Sequence, residues 1–180
     1  MRTSDPSESH HAMLKKLELS TDAHKEIKEY CDQLKIEFCS TPYSYEDALF
    51  LSSLDVTRFK VASADIIDRK LHEYIAETGK ECLLAVGMAT MEEIAATLQL
   101  YERRGVKDRV VILPCVSAYP ADPSDVNISV MDTLRNQFHC RVGYSDHTLG
   151  LECATAAAAL GACVIEKHFT LNRADGGVDC

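Results

Sequence analysis

The sequence has no apolar run long enough to cross a bilayer. Its longest, Ala154 to Gly161, is far short of the ~20 residues a membrane helix needs. The segment Met1 to Ala12 is polar, with Asp5, Glu8, His10 and His11, and lacks the apolar core of a signal peptide. The eight cysteines include no C-x-x-C pair. Most sit in apolar runs such as Ala162-Cys163-Val164. They read as small hydrophobes in a reducing cytoplasm, with a disulfide framework or a cysteine zinc site as the alternatives. No G-x-G-x-x-G or G-x-x-x-x-G-K phosphate loop occurs. Basic residues are the minority, 19 against 28 acidic, for a net charge of −9. That balance argues against nucleic-acid and anionic-membrane partners. It leaves room for an anionic small molecule held by local lysines. With 46% hydrophobic and 26% charged residues, a disordered chain, a collagen-like fibre and a small disulfide scaffold are excluded.

What is present is an alternation of short apolar runs and helical periods over 180 residues, enough for one domain with a real core. Strands are expected at Ile36–Thr41, Arg58–Ser63, Cys82–Val86, Arg109–Leu113, Arg141–Tyr144 and Cys163–Glu166. Helices are expected at Thr21–Leu34, from Ser44 through Leu54, at Leu71–Thr78, from a Thr90–Glu93 capping box to near Gly105, around Ile128–Phe138, and at Leu151–Leu160. Residues 1–20 read as a polar lead-in. Strands alternating with helices mean βαβ units and a parallel sheet. An open doubly wound sheet and an arc of a (β/α)8 TIM barrel compete.

The polar residues favour the barrel. Almost every expected strand ends in a functional-looking group, and barrel enzymes draw their sites from many strand ends at once. Ser40-Thr41-Pro42 closes the first strand. Lys60, Ser63 and Asp65 mark the second. Lys60 sits between Phe59 and Val61, where an unpaired ammonium is costly to bury. It is expected to anchor an anion, or else to pair with a carboxylate such as Asp65. His147 and His168 end consecutive strands. Neighbouring parallel strands lie ~4.8 Å apart, so the two imidazoles can converge on one metal ion. Glu166 shares a strand face with His168. Asp146 reads as a cap for the following helix, and Asp179 as a loop residue or solvated surface.

Taken together, six motifs carry a resemblance. Ser40-Thr41-Pro42, Phe59-Lys60-Val61-Ala62-Ser63, Val86-Gly87-Met88-Ala89-Thr90, Cys115-Val116-Ser117-Ala118-Tyr119-Pro120, Gly143-Tyr144-Ser145-Asp146-His147-Thr148-Leu149-Gly150 and Ile165-Glu166-Lys167-His168-Phe169-Thr170-Leu171 resemble the sialic acid synthase family, that of the N-acetylneuraminate, legionaminate and pseudaminate synthases. The resemblance implies a (β/α)8 barrel. It implies condensation of phosphoenolpyruvate with an N-acyl amino sugar, such as N-acetylmannosamine or a bacterial analogue, to a nine-carbon 2-keto acid and phosphate. It implies Mn2+ or Mg2+, and a homodimer at full length. Carried over residue by residue, His147 and His168 hold the metal. Lys60, Ser63 and Thr41 bind phosphoenolpyruvate with Ser117 nearby. Glu166 stands at the reacting centre, and Tyr119 and Asp179 contact the sugar.

The chain also departs from that family. Ala85 and Val86 stand where the family usually has Ser-Thr, and Ser117 where some members have Asn. The Gly176-Gly177-Val178-Asp179 ending is closer to the pseudaminate branch. The resemblance further implies two preceding strands, with a glutamate and a second lysine, and a following antifreeze-like domain. Residues 21–180 are therefore expected to be six of eight barrel units. The alternatives are a non-catalytic fragment or remnant of such a synthase, or another phosphoenolpyruvate-condensing barrel aldolase, of the kind that makes 3-deoxy sugar acids.

Overall fold

Residues 9–172 are described by the computed structural model. The element order is α1 (His10–Leu17), α2 (Thr21–Leu34), α3 (Tyr45–Ser53), β1 (Arg58–Val61), α4 (Arg69–Thr78), β2 (Glu81–Ala85), α5 (Met91–Arg103), β3 (Val110–Leu113), α6 (Val130–Phe138), β4 (Arg141–Val142), β5 (Tyr144–Asp146), α7 (Glu152–Ala159) and β6 (Ile165–Lys167). All ladders are parallel. One sheet runs β1-β2-β3-β4 and a second pairs β5 with β6. The two are continuous through the backbone, because Gly143 N donates to Ile112 O at 2.9 Å and Ser145 N to Pro114 O at 3.1 Å. The fold is α/β with a parallel sheet, as the alternation predicts.

Local chemistry sets the helix boundaries. Ser20, Ser44 and Asp68 accept hydrogen bonds from backbone N–H groups three residues on, capping α2, α3 and α4. Thr90 and Glu93 form the expected reciprocal capping box of α5. At Ser44, where Asp47 at the third position would allow a capping box, only half of one is made, because the Asp47 carboxylate accepts from Tyr43 N instead. Gly79, with φ of 65°, ends α4 in the left-handed region that glycine adopts without strain. The lead-in contains a helix that its polarity concealed, α1, capped by Ser9.

One expected strand is corrected. Residues 36–41 form no ladder, and Ser40 O takes a single backbone bond from Lys60 N of β1 at 3.4 Å. Side chains tie the segment down instead. Arg58 forks onto Glu37 at 2.8 and 2.7 Å, and Phe38 packs on the core while Ile36 stays exposed. The same guanidinium reaches Glu81, which also meets Arg141. Charge thus stitches the strands' N-terminal ends.

Strands β2 and β3 are apolar on both faces. Cys82, Leu84, Val110 and Ile112 face the helices, and Leu83, Val111 and Leu113 face the opposite side. That explains their continuous apolar runs. The expected strand at Arg141–Tyr144 is split at Gly143. A Cβ there would stand 2.5 Å from Val164 O and 2.6 Å from a Leu113 methyl. Gly143→Ala should therefore push β6 away from β5. It is expected to lower stability by about 1–3 kcal/mol, visible as a lower urea midpoint. An unchanged midpoint would mean the strands separate freely there.

Candidate active site at the strand ends

Parallel strands place all their C-terminal ends on one side, so residues far apart in sequence meet there. One cavity of about 1150 Å³ opens over these ends. Strand β1 and its continuation supply Lys60 and Ser63, β2 supplies Ala85, and the loop after β3 supplies Cys115, Ser117 and Tyr119. Strands β5 and β6 supply Ser145, His147, Glu166, Lys167 and His168. Thr41 and Tyr43 come from the segment before α3, and His11 and Lys15 from α1. Thr41, Lys60, Ser63, Ser117, Tyr119, His147, Glu166 and His168 all line this cavity, while Asp65 does not and Asp179 lies outside the described residues.

Lys60 pairs with Glu166 at 3.3 Å, not with Asp65. Its side chain is only 12% exposed, against 39% for Glu166. The ammonium is thus largely removed from water with one carboxylate beside it. Asp65 lies elsewhere, with one buried carboxylate oxygen that lacks a partner. Burial, then the nearby Asp68 charge, raises the Asp65 carboxyl above its usual range.

Ser63 is held where the chains crowd. Its Oγ accepts from Gly87 N at 2.9 Å and lies 3.4 Å from Cys115 Sγ. A Cβ on Gly87 would come within 2.6 Å of Ser117 Oγ and 2.7 Å of Cys115 Sγ. Glycine is thus what allows the two loops to approach.

The two histidines converge. Register pairs Ser145 with Glu166 and Asp146 with Lys167, so His147 and His168 follow directly beyond the last rung. Their ring centroids are 5.3 Å apart. Tyr119 packs on both, 4.2 Å from the His147 ring and 5.5 Å from that of His168. His147 Nδ1 donates to Val116 O at 2.6 Å, and Nε2 lies 3.3 Å from Ser145 Oγ. A carbonyl only accepts, so the proton is on Nδ1 and the lone pair on Nε2. Burial pushes the His147 pKa down, and the His168 ring adds to this against the pull of the Val116 carbonyl. A neutral imidazole of fixed tautomer is the form that ligates a divalent ion. Among the described residues no group of three or more His, Cys, Asp or Glu side chains is placed to hold a metal. His147 and His168 are the side chains here that could hold a cation, leaving its other positions to small ligands.

Asp146 does not cap a helix. It is fully buried, its Oδ2 is 2.8 Å from Lys167 Nζ, and its Oδ1 accepts from Thr148 N and Oγ1. Burial alone would raise its pKa, but Lys167 and the Thr148 donors win and hold it below the usual carboxylate range. Sequence reasoning left out Ser145, Lys167 and Cys115 as site residues. The alternation of strand faces was the available signal for Ser145, two residues before His147.

The sequence profile described as the NeuB family matches residues 1–180. The chain belongs to that family, the sialic acid synthases. It is 39% identical over 180 residues to the N,N'-diacetyllegionaminic acid synthase of Campylobacter jejuni, covering 99% of this chain and 54% of that protein. It spans about half the length of the curated relatives it matches. Among solved structures, the N-acetylneuraminic acid synthetase of Leptospira borgpetersenii, in complex with citrate, aligns with a TM-score of 0.89 at 32% identity, covering 96% of this chain and 61% of that one. A truncated 3-deoxy-D-arabino-heptulosonate 7-phosphate synthase of Thermotoga maritima shares the fold, with a TM-score of 0.71 at 17% identity, covering 89% of this chain and 66% of that one. Among the described residues no helix is long and apolar enough to cross a membrane.

Proposed function

We propose that this chain is the central arc of a (β/α)8 barrel in a sialic-acid-type synthase. The reaction is condensation of phosphoenolpyruvate with an N-acyl amino sugar, releasing phosphate and a nine-carbon 2-keto acid. The supporting observation is the convergence of Lys60, Glu166, Ser63, His147 and His168 on one cavity at the strand ends. An anionic substrate competes with Glu166 for the Lys60 ammonium, and Thr41, Ser63 and Ser117 donate hydroxyl protons to carboxylate or phosphate oxygens. Once displaced from Lys60, the Glu166 carboxylate is free to accept a proton from the water that adds at C2. A divalent cation, Mn2+ or Mg2+, held by His147 and His168 would supply Lewis acidity to the sugar aldehyde oxygen. Tyr119, packed on both imidazoles, orients them and borders the sugar. Thr41 and Ser117 close the anion's side of the cavity, where Ala85 adds no hydroxyl. Asp179 is assigned to sugar contact, and full-length subunits to a homodimer in the cytoplasm.

The decisive assay is phosphate release by the full-length gene product with phosphoenolpyruvate, Mn2+, and N-acetylmannosamine or its bacterial analogues. No release with any sugar would overturn the reading. The 180 residues alone are expected to show negligible turnover. Measurable turnover would show that the remaining units of the barrel are dispensable. The metal reading has a separate test. The double substitution His147→Ala and His168→Ala should abolish Mn2+ binding, and retained affinity would remove the site.

A further inference from the structure

The buried ion pair behind the two histidines has no role in the chemistry above. We propose that Asp146, Thr148 and Lys167 form a clamp that sets the spacing of His147 and His168, so that Lys167 is a positioning residue for divalent-cation binding. The inference rests on the metal reading of the site.

Three observations carry it. First, the clamp occupies the last paired rung of the β5–β6 ladder, Asp146 opposite Lys167. One residue further along each strand is a histidine. Second, the clamp is closed. Lys167 Nζ donates to Asp146 Oδ2 at 2.8 Å and to Thr148 O at 2.6 Å, while Asp146 Oδ1 accepts from Thr148 N at 3.0 Å and Thr148 Oγ1 at 2.8 Å. The lysine therefore grips β5 on both sides of His147. Third, the group is largely withdrawn from water. Asp146 has no accessible surface, Thr148 is buried, and the Lys167 side chain is 20% exposed. A largely desolvated, charge-assisted bond is stiffer than a surface pair. The His147 backbone is pinned independently, through Ala121 N donating to His147 O at 2.8 Å. Lys167 thus couples β6, and with it His168, to a fixed point.

The sign of the effect separates positioning from electrostatics. Lys167 is a cation near a cation site. If only its charge mattered, Lys167→Met would tighten Mn2+ binding. A clamp predicts weakening, because losing the residue that orients a metal-binding side chain typically costs 10–100-fold in affinity.

The experiment is titration of the protein with Mn2+, reading free ion by electron paramagnetic resonance, well below each variant's unfolding midpoint. Lys167→Met should weaken binding about 10–100-fold, and Lys167→Arg, which keeps the charge and the donors, should stay close to wild type. Unchanged or tighter binding in Lys167→Met would overturn the clamp. Should that variant not fold, because it strands a buried carboxylate, the pair Asp146→Asn with Lys167→Met removes both charges and should show the same loss. Wild-type affinity there overturns the proposal equally. The double histidine variant is the control. If it binds Mn2+ as wild type does, the metal reading itself has failed, which is distinct from wild-type affinity in the Lys167 variants alone.

Discussion

On the proposed reaction, Lys60→Met in the full-length protein is expected to lower kcat/KM for phosphoenolpyruvate by about 10²–10³-fold, the usual effect of deleting one preorganised charge or donor at a reacting anion. Lys60 is nearly withdrawn from water, 12% exposed, and its one carboxylate neighbour is Glu166 at 3.3 Å. A desolvated ammonium interacts with an anion far more strongly than one in bulk water. The partner it leaves behind is 39% exposed, so Glu166 is rehydrated and the fold loses little. The expected signature is therefore lost catalysis with a urea midpoint close to wild type. Lys60→Arg should recover part of the activity, since it restores charge but not the compact ammonium. A variant that loses stability yet keeps kcat/KM would make Lys60 a structural ion pair, the bland alternative that its sequence context also allowed.

Acid is expected to destabilise the fold by about 3 kcal/mol through one residue outside the site. His72 is fully buried, and its pKa is pushed down to about 4 by burial, against the weaker pull of the Asp65 and Ile66 carbonyls and the Asp68 charge. Its Nδ1 lies 2.8 Å from Tyr101 Oη, which also reaches Cys82 Sγ at 3.3 Å. Its Nε2 has no hydrogen-bond partner. The unfolded chain binds this proton with an ordinary pKa near 6.5. Above pH 6.5 both states are neutral and the contribution is intact. From 6.5 down to about 4 only the unfolded state is protonated, so stability falls by up to ~1.4 kcal/mol per pH unit. Below 4 the loss levels off at about 3 kcal/mol. Urea unfolding between pH 7 and 4 should show this slope in wild type and a flatter one in His72→Phe. Parallel slopes would mean that another group carries the acid response.

Much of this was legible in the residues. The capping serines, the Thr90–Glu93 box and Gly79 mark helix ends by local hydrogen bonding, which needs no tertiary partner. The buried parallel strands read as apolar runs because both faces are covered. The candidate residues at strand ends followed from one rule, that parallel strands deliver their C-terminal ends to one side. Where the reading failed, the missing information was pairing. Residues 36–41 have strand composition but only a single backbone bond to β1, and α1 is a helix within a polar stretch.

The sequence by itself determined the α/β alternation, the family, and the set of side chains at the strand ends, because those depend on short-range pattern and residue type. The tertiary structure decided which of them face one another. It chose Glu166 over Asp65 for Lys60, turned Asp146 from a cap into half of a buried pair with Lys167, and brought the two imidazoles to 5.3 Å. These are contacts between strands whose relative register is fixed by long-range packing, and no local pattern encodes a register.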